Sequence, residues 1–156
     1  PRVRKEAAKA LANLNPSLAE PIIRPMLLDK DISLRRFAIN LIGSMKSVDA
    51  LPEILALLEK RTIAQNEEDE LLQVESVIAM GKLGDASCVP VLIETLKKEG
   101  MLSRKRTKPA SVRSNVCWVL AQFPSDSVKK ALREAARDSV PEVRDAARGA
   151  LMKLGE

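Results

Sequence analysis

One hydrophobic template returns five times along this chain and sharply limits what it can fold into. The template is an apolar residue, usually followed by Arg, with small or apolar residues 4, 7, 8 and 11 places further on. Its copies read Val3-Arg4, Ala7, Ala10, Leu11, Leu14; Leu34-Arg35, Ala38, Leu41, Ile42, Met45; and Leu72-Gln73, Ser76, Ala79, Met80, Leu83. Two more follow: Val112-Arg113, Val116, Val119, Leu120, Phe123, and Val143-Arg144, Ala147, Ala150, Leu151, Leu154. Their first residues lie 31, 38, 40 and 31 positions apart. Residues 4, 7, 8 and 11 apart share one face of a helix. Self-similarity at such a period marks a stack of helical repeats, each burying its apolar face against its neighbours.

Composition supports an all-α core. Of 156 residues, 46% are hydrophobic, yet the chain holds one Trp, two Phe and no Tyr. A core built from Ala, Leu, Ile and Val suits closely packed helices better than a β-sandwich. The expectation is a single repeat domain over residues 1–156. No apolar run approaches the length of a membrane span, and no signal peptide is evident. The net charge of +5 fits either a solvated basic surface or an acidic partner. Cys88 and Cys117 stand among apolar residues and read as reduced, buried thiols, which suits a cytoplasmic setting.

Before each copy after the first lies a second apolar helix. Three carry Pro near the expected start, Pro21, Pro52 and Pro90, where a missing N–H costs nothing. Apolar pairs then recur at one offset: Ile23 and Leu27, Ile54 and Leu58, Leu92 and Leu96; the fourth helix offers Ala131 and Ala135. Pro25 falls one turn too deep and is expected to kink or shorten its helix. Gly84 and Gly155 are expected to end template helices, while Gly43 lies inside one.

The turn and helix in Asp29-Lys-Asp31-Ile-Ser-Leu-Arg35 and Asp138-Ser-Val-Pro-Glu-Val-Arg144 resemble the HEAT repeat family, in its short bacterial, phycobilisome-lyase-type form. The resemblance covers essentially the whole chain. It implies an α-solenoid of about five helical-hairpin repeats, the first truncated, with Asp and Arg forming a ladder along the turns. Gln73 and Ser111 depart from that ladder. The missing Met at Pro1 and a first template helix without a partner lead to the expectation of a piece from a longer repeat protein.

Two insertions lengthen the turns between paired helices. One, residues 60–70, ends in Glu67-Glu68-Asp69-Glu70; the other, residues 99–111, carries Arg104, Lys105, Arg106 and Lys108. They read as solvated loops, as mutually attracting loops, or, for the basic one, as an anion contact.

Places two and six beyond each template start point away from the core, the direction that is concave in HEAT stacks. There stand Lys5 and Lys9, Arg36 and Asn40, Val74 and Ile78, Ser114 and Trp118, Asp145 and Gly149. Trp is enriched among interface hot spots. Val74, Ile78 and Trp118 are therefore expected to form an apolar partner-binding patch beside a basic one at Lys5, Lys9 and Arg36. The competing reading has the long loops folding over Trp118.

Catalysis finds no support. The chain has no His, which removes the commonest general base and metal ligand and excludes the His-dependent hydroxylase branch of HEAT proteins. Gly81-Lys-Leu-Gly84 lacks the spacing of a phosphate loop. No metal, cofactor or catalytic residue is expected. The leading reading is a non-enzymatic scaffold for an unknown protein or peptide. The alternative is nucleic-acid binding through the basic stripe and the 104–108 loop, as in the HEAT-like alkylpurine DNA glycosylases. A chromophore-lyase-like role rests on resemblance alone.

Overall fold

A computed structural model describes residues 2–59, 66–97 and 107–156. They form two compact units, Pro1–Asp85 and Ala86–Glu156. Every element among the described residues is helical, and the fold is an all-α solenoid. The template helices are α1 (Arg2–Leu14), α3 (Ile32–Met45), α5 (Glu67–Leu83), α7 (Ala110–Leu120) and α9 (Pro141–Lys153), alternating with α2 (Pro16–Ile23), α4 (Leu51–Glu59), α6 (Val89–Leu96) and α8 (Asp126–Ala135).

In the first unit α3 packs on α5, with α1 against α2 and α4 against α5. Ala38, Ile42, Ala79 and Met80 from the template are all but inaccessible to solvent. So are the paired residues Ile23 and Leu27, and Ile54 and Leu58. In the second unit α7 packs on α9, flanked by α6 and α8. Val112, Val116, Leu120, Val143, Ala147 and Ala150 form its core with Leu92 and Leu132.

The first template copy behaves differently. Val3 is 82% and Leu14 84% exposed, and Ala7 and Ala10 are exposed too. Ala7 and Ala10 therefore lie in solvent, whereas their counterparts Ala38, Ala79, Ala147 and Ala150 are buried. The buried side of α1 runs instead through Ala8 and Ala12.

Local chemistry explains most boundaries. Asn15 caps α2, its side chain accepting from the Leu18 amide at 3.2 Å, with Pro16 in the first turn. Pro21 consequently lies inside this helix rather than in its first turn. The α-helix ends at Ile23 and passes into a 3-10 stretch at Arg24–Leu28 holding Pro25, the shortening expected of that proline. Pro52 and Pro90 do lie in first turns.

The acidic run Glu67-Glu68-Asp69-Glu70 is the first turn of α5, not the end of a loop. Asn66 caps it, accepting from the Asp69 amide at 2.8 Å. Four carboxylates there also favour the positive end of the helix dipole. Gly84 closes α5 with φ of 70°, and Gly155 follows α9 with φ of 80°. At the end of α3 the same left-handed role falls to Lys46, at φ of 54°.

Gly43 sits inside α3 for a packing reason. A Cβ on it would lie 3.1 Å from the Ala79 Cα and 3.2 Å from the Ala79 Cβ. The α3 and α5 backbones meet closely at this pair of small residues, the approach that lacking a side chain permits.

Candidate interaction surface

The Asp-Arg turns hold the template helices in register. In the first unit Arg4 donates to Asp29 at 2.9 Å. In the second, Arg113 is paired with Asp138, and both side chains are 4% exposed. Asp138 also accepts from the Val140 amide at 2.8 Å, and Arg113 donates from Nε to the Lys108 carbonyl at 3.0 Å. Two template places depart from the ladder within the first unit. Arg35 Nε and Gln73 Oε1 are buried with no hydrogen-bond partner among the described residues.

These turns set the outward faces. In the first unit, Lys9, Asn40 and Ile78 are exposed, and Lys5 and Val74 are half-buried. Ile78 is 37% exposed. Arg36 is not a free cation: its guanidinium donates from Nε to Glu75 Oε1 at 2.8 Å, bridging α3 and α5. Asn40 donates to the Arg36 carbonyl at 3.1 Å. The basic stripe of this unit is thus partly neutralised, by a Glu one place after the expected outward position.

In the second unit the outward face joins α7 to α9. Ser114 is buried instead of outward-facing, because its hydroxyl turns toward α9 and donates to Glu142 Oε1 at 2.9 Å. One turn on, Trp118 reaches across to α9. A Cβ on Gly149 would fall 2.4 Å from the indole Cη2 atom, so the indole occupies the space that a side chain there would need. Despite this packing Trp118 remains 49% exposed. It is not part of the core; the long loops expected to fold over it lie largely outside the described residues.

Lys108 is half-buried, and its carbonyl takes part in the Arg113 turn. Arg104, Lys105 and Arg106, expected as an anion contact, lie outside the described residues. Both cysteines are buried, and burial pushes the Cys117 thiol up to about 12, far from a reactive thiolate. Among the described residues no group of three or more Cys, Asp or Glu side chains is placed to hold a metal ion. No described helix is long and apolar enough to cross a membrane.

Compared with known families, residues 1–64 and 101–156 match the model described as HEAT repeats. The chain belongs to the HEAT repeat family. Residues 72–98 match a second HEAT model, the PBS lyase HEAT-like repeat. The lyase in that description belongs to the repeat's name and assigns no reaction to this chain. No curated protein matches the chain. The two HEAT models together leave only residues 65–71 and 99–100 unmatched, and the Asp29 and Asp138 turns that suggested the family lie within the matched residues.

Sequence reasoning missed Glu75, Glu142 and the purpose of Gly149. Glu75 neutralises a cation 39 residues away. Gly149 acquires its meaning from a Trp on another helix. Neither relationship has a signature at helical spacing.

Proposed function

We propose that this chain is a non-catalytic scaffold that binds a protein segment along the outward, template-helix face of its HEAT repeats. The observation that carries this reading is Trp118. It is a large apolar side chain packed against Gly149 yet half open to solvent. A pre-positioned aromatic loses little conformational freedom on binding, which is why such residues anchor interfaces. Repeats of this kind offer extended surfaces for the purpose. The unreactive Cys117 thiol and the lack of His are consistent with a role that needs no chemistry. A cytoplasmic location fits two buried thiols.

The nucleic-acid alternative is weakened by Arg36, whose charge is already answered by Glu75. The test is paired capture from cell extract on the immobilised 156-residue chain and on its Trp118→Ala variant. A protein retained by the first and lost from the second supports the scaffold reading. Equal retention overturns the assignment to this face. Duplex DNA binding that weakens steeply between two salt concentrations would transfer the function to nucleic acid.

A further inference from the structure

The second unit's outward face also carries information about the chemistry of its partner. On α9, Glu142, Asp145, Gly149 and Met152 follow one another at spacings of three, four and three. They therefore line one stripe of the helix. The Trp118 indole lies over the third of them. Met152, one turn beyond, is 75% exposed. Two carboxylates, an indole and a thioether thus succeed one another along about three turns.

Among the described residues of the unit, neither carboxylate of this stripe is paired with a cation. Asp145 is exposed and makes no ion pair among the described residues. Glu142 takes a neutral hydroxyl, that of Ser114. The neighbouring acids differ: Asp138 holds Arg113, and Glu156 holds Lys129 and Arg133. Arg144 is engaged elsewhere, donating to the Asp138 carbonyl at 3.1 Å; Arg148, three places after Asp145, is exposed and makes no ion pair with it among the described residues.

We infer that this stripe docks a basic peptide segment, one Lys or Arg side chain lying on the Trp118 indole beside Asp145 and Glu142, with an adjacent aliphatic residue against Met152. The quadrupole of an indole attracts a cation on its face. The two carboxylates supply the matching field. Thioethers adapt well to aliphatic partners. The inference rests on the scaffold reading and names the class of segment that the face accepts.

The single Trp of the chain reports its own site. The test is a fluorescence titration with the blocked peptide Ac-ALRALRALR-NH2, with the same peptide carrying Glu for Arg as control. A saturable change with the Arg peptide, at least about tenfold tighter than with the Glu peptide, is expected. The double variant Glu142→Gln, Asp145→Asn should weaken the Arg peptide by about fivefold. Gly149→Ala, which displaces the indole without removing it, should weaken binding while leaving the helical circular dichroism unchanged. Equal binding of the two peptides, no response to the Arg peptide, or full affinity in the double variant would overturn the inference. Failure here, alongside a captured protein that still depends on Trp118, removes the basic segment but leaves the scaffold. Capture that is indifferent to Trp118 removes both.

Discussion

Arg113 and Asp138, twenty-five residues apart, form an ion pair that is closed off from solvent on both sides. Arg4 and Asp29 repeat it at the same separation near the other end of the chain, but with the Arg side chain 55% exposed. The same motif therefore works in two environments, and its two copies should differ in energetic weight.

Removing one partner of a buried pair strands the other charge, at a cost of about 3–5 kcal/mol. Asp138→Ala should lower stability by that order in urea denaturation, helped by the loss of its bond to the Val140 amide. Arg4→Ala removes the exposed counterpart and should cost less than about 1 kcal/mol. Comparable losses in the two variants would contradict the assignment of burial.

The contact between Gly43 and Ala79 leaves no room for added carbon. Gly43→Ala would ordinarily stabilise a helix interior by about 0.5–1 kcal/mol. Here the new methyl would meet the Ala79 backbone at 3.1 Å, which no rotamer change relieves. Net destabilisation is expected. Ala79→Leu should overpack the same contact and cost about 1–3 kcal/mol. Thermal midpoints at or above that of the parent protein would refute this close approach.

Acid should weaken the fold. The Asp31 amide, with Arg4, holds the Asp29 carboxyl below its ordinary range, and the Ser33 hydroxyl and amide do the same for Asp31. Hydrogen bonds from Arg24 and Arg133 likewise lower Glu53 and Glu156. The folded state thus binds fewer protons than the unfolded chain as these groups titrate. Their contribution is present above the unfolded carboxylate range, near about pH 4, and is lost as the pH falls through the lower folded values. Urea midpoints measured from neutral pH down to about pH 3 should fall steadily over the acid end; a flat profile would contradict these contacts.

Cys88 and Cys117 should both be inert toward a thiol-specific disulfide reagent in the native protein and react together on unfolding. Burial accounts for both, and for Cys117 it also suppresses the thiolate by moving the thiol to about 12. Rapid native labelling of either would place it on the surface.

Much of this was legible at helical spacing. Leu34, Ala38 and Ile42, or Val143, Ala147 and Ala150, announce a buried face because each lies a turn or two from the next. Pro25 announces a break because its ring and missing N–H act within one turn. The acidic residues 67–70 open a helix instead of closing a loop, as Asn66 before them, a helix-capping type, signals. Their negative charge favours the positive end of a helix. On the outward faces, Lys9, Asn40, Ile78 and Trp118 are exposed at the places that counting from the template gives. Counting does not give the status of each residue: Arg36 is engaged by Glu75, Ser114 turns inward to Glu142, and Trp118 rests on Gly149.

The amino-acid order by itself determined the period, the helical faces and the family, because the forces behind them act between residues three to eleven apart on one helix. Which charges remain open, which small residues meet, and where a half-exposed indole comes to rest were decided by the tertiary structure. Those outcomes join side chains 25 to 39 residues apart across neighbouring helices. Such pairings depend on the distance and rotation at which two helices pack, quantities that no spacing along a single helix encodes.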